Sequence, residues 1–527
     1  MEILKQPWIK AIVDGQLQPI SVGDIVKPNV TDLAFDRADF NGAVYQLLIG
    51  LLQTGLAPPS DKAWAKHYYD PPSSETLMAS LEPFESAFHL QADGPQFMQD
   101  LTLQTGETKS MAALLIEAPG GKTIKDNTDH FIKRGLADKV CSSCTTAALY
   151  CMHSAAPSGG VGHRTSLRGG GGLTTLVLPK GEPTLWQKLW LNVVKDKHSA
   201  LKTKHKALED IFPWLSDTRT SEKKGSEIVI DGVNPLQMYW AMPRRFKLMT
   251  DSIISGECDL CGDHSDHLYT QFITKNYGAN YADGWTHLLT PYRHDPKNKK
   301  PALSIKGTQG GLTYKDWLGV AIGDTKSGEQ PATVVQDMLT SKRRNLRAED
   351  KDFSIWCFAY DMDNMKVRCW YENTLPLVEY DEQIKDIFEQ RVSEYIGLAN
   401  DTAAILRQAV KAAWSNRPKD IKGNISKIDA MFWQQGQSRF FATVMDMAQT
   451  AKGSKQWINH DDSWCENMSA LLDSQFEHWA LDKFSADKDM PRIIKAQQSM
   501  RRILYKSKFY TLITQRVNDA KVKQESA

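Results

Sequence analysis

The chain has 527 residues, 41% of them apolar and 24% charged, which excludes a minimal single-core module and a disordered tail and fits two or three globular domains. Lys and Arg number 64 against 63 Asp and Glu, a formal charge of +1, so this is not a protein that coats nucleic acid indiscriminately, and any basic surface must be local. The start, MEILKQPWIK, is charged at Glu2, Lys5 and Lys10, and no apolar run approaches the roughly 20 residues that span a bilayer, so a cytoplasmic protein without signal peptide or membrane contact is expected.

Up to about residue 378, short strand-like runs alternate with helical patterns and glycine- or proline-punctuated connections, the texture of an α+β region. Its clearest helix is NGAVYQLLIGLLQTGLAPP: Val44, Leu47, Leu48, Leu51 and Leu52 recur at helical spacing, and Gly55 followed by Pro58 stops it. It reads as core. Two C-x-x-C pairs follow, Cys141 with Cys144 and Cys258 with Cys261, four of the eight cysteines. Eight are too few for a disulfide scaffold in so long a chain, and thiolate pairs of this spacing are what a tetrahedral Zn²⁺ site uses, closed and structural when all four ligands are thiolates. His264 and His267 are alternative ligands, and two unrelated reduced pairs are the plain alternative.

Between the pairs, APSGGVGHRTSLRGGGGLTTLVLP holds seven glycines from Gly159 to Gly172 and runs into a strand-like TTLVLP. Such a segment admits close approach to its backbone N–H groups, and His163, Arg164 and Arg168 add positive charge. A side-chain-free loop edge fits the minor groove of B-DNA, about 6 Å wide; a flexible surface connection is the bland alternative. EIVIDG at 227–232 and FSIWCFAY at 353–360 read as further strands, the second opening a hairpin with Met365–Tyr371 around the polar turn Asp361, Met362, Asp363 and Asn364. Lys297, Lys299 and Lys300, and Lys342, Arg343, Arg344 and Arg347, are candidate phosphate contacts or simply solvated surface.

Enzyme signatures fail. APGGKT at 118–123 lacks the first P-loop glycine, which would fall at Ile116; no H-E-x-x-H occurs, neither cysteine pair is P-C-x-x-C, and the glycine cluster leads into a strand where a dinucleotide fingerprint needs a helix. No catalytic constellation remains, and a protein without catalysis of its own is expected.

From Glu379 the pattern turns helical: Ile384, Phe388, Val392, Tyr395, Ala399, Leu406, Val410 and Ala413 keep one apolar face, and helical stretches near 424–450, 462–484 and 491–517 follow. The expectation is a mixed α/β domain over 1–378 and a carboxy-terminal four-helix bundle over 379–527. The last stretch, with Arg492, Lys495, Arg501, Arg502, Lys506, Lys508 and Arg516 and no acidic residue up to Asn518, either holds a DNA strand, with Arg501 and Arg502 on its backbone, or pairs with acidic neighbours in the bundle.

The run from Cys141 to Pro179 resembles the signature region of the CasA family, the large subunits of type I-E CRISPR surveillance complexes (Cascade). PWI near the start, GPQFMQD at 94–100, YWAMPRRFKL at 239–248, the second cysteine pair and the terminal helices extend the resemblance along the chain. It implies a structural zinc site and a subunit that binds guide RNA and the other Cascade subunits. Such a subunit recognises the protospacer-adjacent motif (PAM) of double-stranded DNA from the minor groove, helps open the duplex for R-loop formation, and recruits the helicase-nuclease in antiviral defence. By position it puts a glycine loop on Gly159, Gly160, Val161 and Gly162, a lysine finger on Asn276 with Lys275 just before it, and a glutamine wedge on Met362, Asp363, Asn364 and Met365, with Asn364 in place of glutamine. Phe131 falls where the family has an aromatic that contacts the guide RNA and neighbouring subunits. The alternatives are a zinc-dependent nucleic-acid-processing enzyme, which needs an open metal site, and a scaffold subunit that does not read DNA.

Overall fold

The computed structural model describes residues 1–127, 135–195, 206–297, 299–324, 326–363, 365–422, 425–450, 455–481 and 489–525. The chain divides into two compact units, Met1–Gly311 with Gln330–Thr374, and Leu312–Glu329 with Leu375–Ala527. Phe131 and Asn364 lie outside the described residues.

In the first unit the helix Ala38–Gly55 runs through the core, buried continuously from Asp39 to Gln53 except at Asn41. A helix buried all round must satisfy its polar side chains internally, and Gln53 does so by exchanging two hydrogen bonds with the backbone of Val194, at 3.0 and 2.8 Å. An aromatic cluster of Phe88, Phe97, Phe212, Trp214 and Trp240 packs near it, with Phe88 and Phe212 centroids 5.3 Å apart in edge-to-face contact. Trp64 and Trp190 donate their indole N–H groups to each other's backbone carbonyls, at 3.1 and 2.9 Å, so both bury without an orphaned donor.

The sheets are small, three strands each, and three of them position the candidate site. Val140–Cys141 and Ile254–Glu257 both pair antiparallel with His264–Tyr269. Gln271–Lys275 is flanked by Glu107–Ser110 and Arg245–Leu248, also antiparallel. Thr174–Pro179 pairs antiparallel with Phe353–Asp363, whose other neighbour is Lys366–Leu377. TTLVLP and FSIWCFAY are thus strands as expected. EIVIDG is not: Ile228 makes one isolated bridge to Tyr281 and Ile230–Gly232 is a 3₁₀ turn, because the alternating run is too short to recruit a partner before Gly232.

The second unit is helical: Lys385–Trp414, Ser426–Gln449, Lys455–Leu481, Met490–Tyr505 and Lys508–Glu525. The apolar stripe read from Phe388 to Ala413 is its buried face. The last expected helix is broken at Lys506–Ser507 into two. Segment 312–329 packs in this unit, where Tyr314 stacks on Phe440 with centroids 4.6 Å apart, and Gly436 leaves the room that a Cβ 2.7 Å from the Tyr314 hydroxyl would close. Asp461, fully buried, ties three helices: it accepts from Arg391, from the Tyr395 hydroxyl at 2.8 Å and from Arg516 at 2.8 and 3.0 Å, while Arg516 also reaches Glu394 at 2.6 Å. No helix is long and apolar enough to cross a membrane among the described residues.

Candidate nucleic-acid interface and cysteine cluster

The two C-x-x-C pairs, 117 residues apart from Cys141 to Cys258, meet because strand Val140–Cys141 is registered on His264–Tyr269, which also carries Ile254–Glu257 beside the second pair. Asp259 fastens the second turn to the first, its carboxylate accepting from the N–H groups of Asp138 and Lys139, both at 2.9 Å. The four Sγ atoms lie within 4.8 Å of one another. Cys141 and Cys261 sulfurs are 3.8 Å apart, the edge of a thiolate tetrahedron with metal–sulfur bonds of about 2.3 Å. Hydrogen bonds from Cys141, Cys144 and Cys261 pull the Cys258 thiol far down, while bonds to Cys141, Cys258 and Cys261 push Cys144 up, so the group cannot ionise together without a cation. The residues therefore fit a metal ion. His264 is mostly exposed beside Asp266, and neither it nor His267 belongs to the group. Next to Cys261, the ammonium of Lys10 is buried, which by itself would lower its pKa; bonds to Asp263 and Asp36, at 2.8 and 3.1 Å, outweigh that and hold it charged.

Cys141 and Cys144 sit at the start of helix Ser142–Ala155, and the glycine segment leaves its other end. Fourteen residues at 1.5 Å put the two features roughly 21 Å apart on one rigid rod. Beyond the helix the loop is a tight turn, His163 N–H donating to Gly160 O at 3.1 Å with Gly162 at φ +78°. Gly159 and Gly162 are required by packing: a Cβ would lie 2.4 Å from the Cβ of His163 and 2.9 Å from the Tyr277 ring, respectively. Gly160 is different. It is exposed, outside the left-handed region, with nothing within 4 Å of where its Cβ would be, and Val161 beside it is 77% exposed.

The expected finger stands against this loop. Asn276 donates its amide to Val161 O at 2.7 Å and Tyr277 N–H donates to Gly162 O at 2.8 Å, while Lys275, at the end of its strand, is exposed. Arg164 reaches the same turn through Ser221, with bonds of 2.8 and 3.1 Å to its hydroxyl and carbonyl oxygens that fix the guanidinium in place.

The hairpin strands run further than expected, the first to Asp363 where Tyr360 was expected, and the second, starting at Lys366, to Leu377 where Tyr371 was expected. Asp361 is therefore in a strand, 2% exposed and held by two 2.7 Å bonds from Arg368. Met362 turns inward, its Sδ 3.2 Å from a Cβ built on Gly170, whereas Asp363 and Met365 are exposed at the tip. Gly170 and Gly171 thus receive the hairpin: a Cβ on Gly171 would lie 2.7 Å from Tyr360 O, and Gly307, which donates to Gly171 O at 2.9 Å, meets the same carbonyl. Tyr360 also donates its hydroxyl to Asp39, which Arg37 bridges to Glu117. The structure brings glycine loop, finger and hairpin together around one glycine-rich segment.

Of the basic groups, Lys297, Lys299 and Lys300 are exposed on a turn whose backbone N–H groups bond Asp295. Lys342 and Arg343 are buried, Lys342 paired with Asp337 at 3.2 Å and lying over Trp64, so they are structural. In the last helices Arg492, Arg501 and Arg516 pair with Asp489, Asp473 and Asp461, because acidic residues of neighbouring turns and helices face them; Lys495, Arg502 and Lys506 carry no ion pair among the described residues. Sequence reasoning passed over Arg244, 8% exposed, whose Nη2 donates to Pro157 O at 2.6 Å. Its one signal was the doubled arginine of YWAMPRRFKL, whose second member, Arg245, is a plain buried partner of Asp100 at 2.5 Å.

These features define an α+β protein with a closed four-thiol cluster and a glycine loop at opposite ends of one helix, followed in sequence by a helical unit. The family model for the CRISPR-associated protein Cse1 matches residues 2–473, and the chain belongs to that family. Its fold is that of CasA from Thermus thermophilus, at TM-score 0.71 and 14% identity over 96% of this chain and 100% of that one. Thermobifida fusca Cse1 matches at TM-score 0.68 and 14% identity over 96% and 98%. A chain of a structure described as a CRISPR RNA-guided surveillance complex matches at 0.66 and 14% over 96% and 99%.

Proposed function

We propose that this chain is the large subunit of a cytoplasmic type I-E CRISPR RNA-guided surveillance complex. It reads the PAM of double-stranded DNA from the minor groove, helps open the adjacent duplex and recruits the helicase-nuclease, with no catalysis of its own. One observation carries the reading: among the loop glycines, Gly160 is the one at the exposed tip that packing does not require, so its missing side chain serves an approaching partner. Lys275, exposed beside the loop, acts as the finger, while Asn276 is engaged in bracing Val161 O. The hairpin tip at Asp363–Met365 is the wedge. Duplex stacking averages about 1.4 kcal/mol per step, so opening the first pairs costs a few kcal/mol before guide pairing offsets it, and minor-groove contacts supply that initial free energy.

Cys141, Cys144, Cys258 and Cys261 would hold a structural Zn²⁺; four thiolates leave no coordination position for a reactive water, which favours this role over a zinc enzyme. Lys297, Lys299, Lys300 and Arg502 supply phosphate contacts, and Phe131 the contact with guide RNA and neighbouring subunits. The test is binding of a guide-loaded complex, reconstituted with and without this chain, to duplexes carrying a randomised triplet beside the guide-matched sequence at fixed salt. Enrichment of a few triplets only when the chain is present supports the proposal; equal retention of all triplets in both cases removes the reading function.

A further inference from the structure

Two guanidiniums in the first unit are buried without any carboxylate partner among the described residues: Arg168, 6% exposed, and Arg244, 8% exposed. Both bind carbonyls where helix Ser142–Ala155 gives way to the glycine segment, Arg168 on Ser154 O at 3.1 Å and Arg244 on Pro157 O at 2.6 Å. A helix C-terminus carries unsatisfied carbonyls and the negative end of the helix dipole, which explains how the cations persist there, yet partial charges do not neutralise a full one. Burial draws both below the ordinary guanidinium range, Arg244 to about 10, which leaves Arg244 charged at neutral pH.

Arg244 is the one aimed at the loop. Its Nη1 lies 3.4 Å from where a Cβ on Gly159 would stand, and its Nε–H, buried, has no hydrogen-bond partner among the described residues. The nearby titratable groups do not cancel it. His163 is held neutral by burial and by Arg244 and Lys109, and the carboxylate of Glu107 is paired with Lys109. Resting on the DNA-reading role proposed above, we propose that Arg244 is the charged floor of the glycine loop, a guanidinium fixed under Gly159 that draws a nucleic-acid phosphate onto the loop backbone. The glycines then serve a second purpose, since any side chain at 159 would separate the charge from the ligand.

The test uses the guide-loaded complex reconstituted with wild-type, Arg244→Gln or Arg244→Lys chain, titrated with duplexes carrying the enriched or a rejected triplet at several salt concentrations. Arg244→Gln is expected to weaken binding to both duplexes on the order of tenfold, the effect of one charge at an effective dielectric constant of about 20 across some 10 Å. The log–log salt dependence should become shallower by about 0.9, and Arg244→Lys should restore both quantities. Wild-type affinity and salt slope in Arg244→Gln overturn the inference. So does equal weakening in both variants at unchanged slope, which reduces Arg244 to a structural prop. Discrimination of triplets in the wild-type complex reads out the earlier proposal separately: its absence with an intact Arg244 effect overturns PAM reading alone.

Discussion

The carbonyl oxygen of Tyr360 occupies the space a side chain on Gly171 would need, 2.7 Å from the built Cβ, and Gly171 itself is at φ +70°. The hairpin and the glycine segment are therefore in backbone contact at Gly171, with the Met362 side chain packed beside it over Gly170. Gly171→Ala is expected to cost about 1–3 kcal/mol from the left-handed backbone and to loosen the hairpin from its seat. Hydrogen exchange should show faster exchange in 353–363 than in 174–179; unchanged protection of the hairpin would mean the contact is slack.

The buried carboxylate of Asp461 is bound by Arg391, Arg516 and Tyr395. Asp461→Ala leaves the Arg391 guanidinium uncompensated and Arg516 with Glu394 alone, and is expected to lower stability by roughly 3–5 kcal/mol, read from the urea midpoint. Replacing Arg391, Glu394, Asp461 and Arg516 together by apolar residues of similar volume should recover much of that loss, since the intact network also carries the cost of desolvating its charges.

The large features were legible in the sequence where one strong local signal sufficed. The Ala38–Gly55 helix announced itself through an apolar run closed by Gly55 and Pro58, and the thiol cluster through two C-x-x-C turns. What stayed hidden depended on pairing across long separations. Nothing local in GGGG at 169–172 says that its partner is Tyr360, nor does a basic run from Arg492 reveal that Asp473 and Asp461 face it from another helix. Lys342 and Arg343 look like surface charge in KRRNLR because burial is decided by Trp64 and Asp337, which no short window contains together.

His153 is fully buried, donating Nε2–H to Met98 O at 3.0 Å, and burial pulls its pKa to about 3; His287 is lowered for the same reason. Both are neutral in the fold and take up a proton on unfolding below their ordinary value of about 6.5, so the stability they contribute is present above that pH and is lost as pH falls from 6.5 toward 3. His153 should cost about 2 kcal/mol by pH 5, visible as a falling urea midpoint, and His153→Gln should flatten the slope.

Metal content gives an independent check on the cluster. One zinc ion per chain is expected by elemental analysis of purified protein, falling toward zero in Cys258→Ser, with a lower thermal midpoint. Cys369→Ser, at an exposed thiol outside the cluster, should change neither quantity.

Gly160 separates folding from recognition most cleanly. Because nothing lies within 4 Å of its Cβ position and its backbone is outside the left-handed region, Gly160→Val should leave stability within about 0.5 kcal/mol of wild type, as surface changes do. In a minor groove about 6 Å wide the added side chain blocks the loop edge, so triplet enrichment by the guide-loaded complex should disappear although the chain remains assembled. Gly159→Val is the contrasting case: a Cβ there meets His163 at 2.4 Å, so both stability and selection should fall together. Full triplet selection in Gly160→Val would show that the loop tip does not enter the groove, and would move the search for the reading element to Lys275 and the hairpin tip.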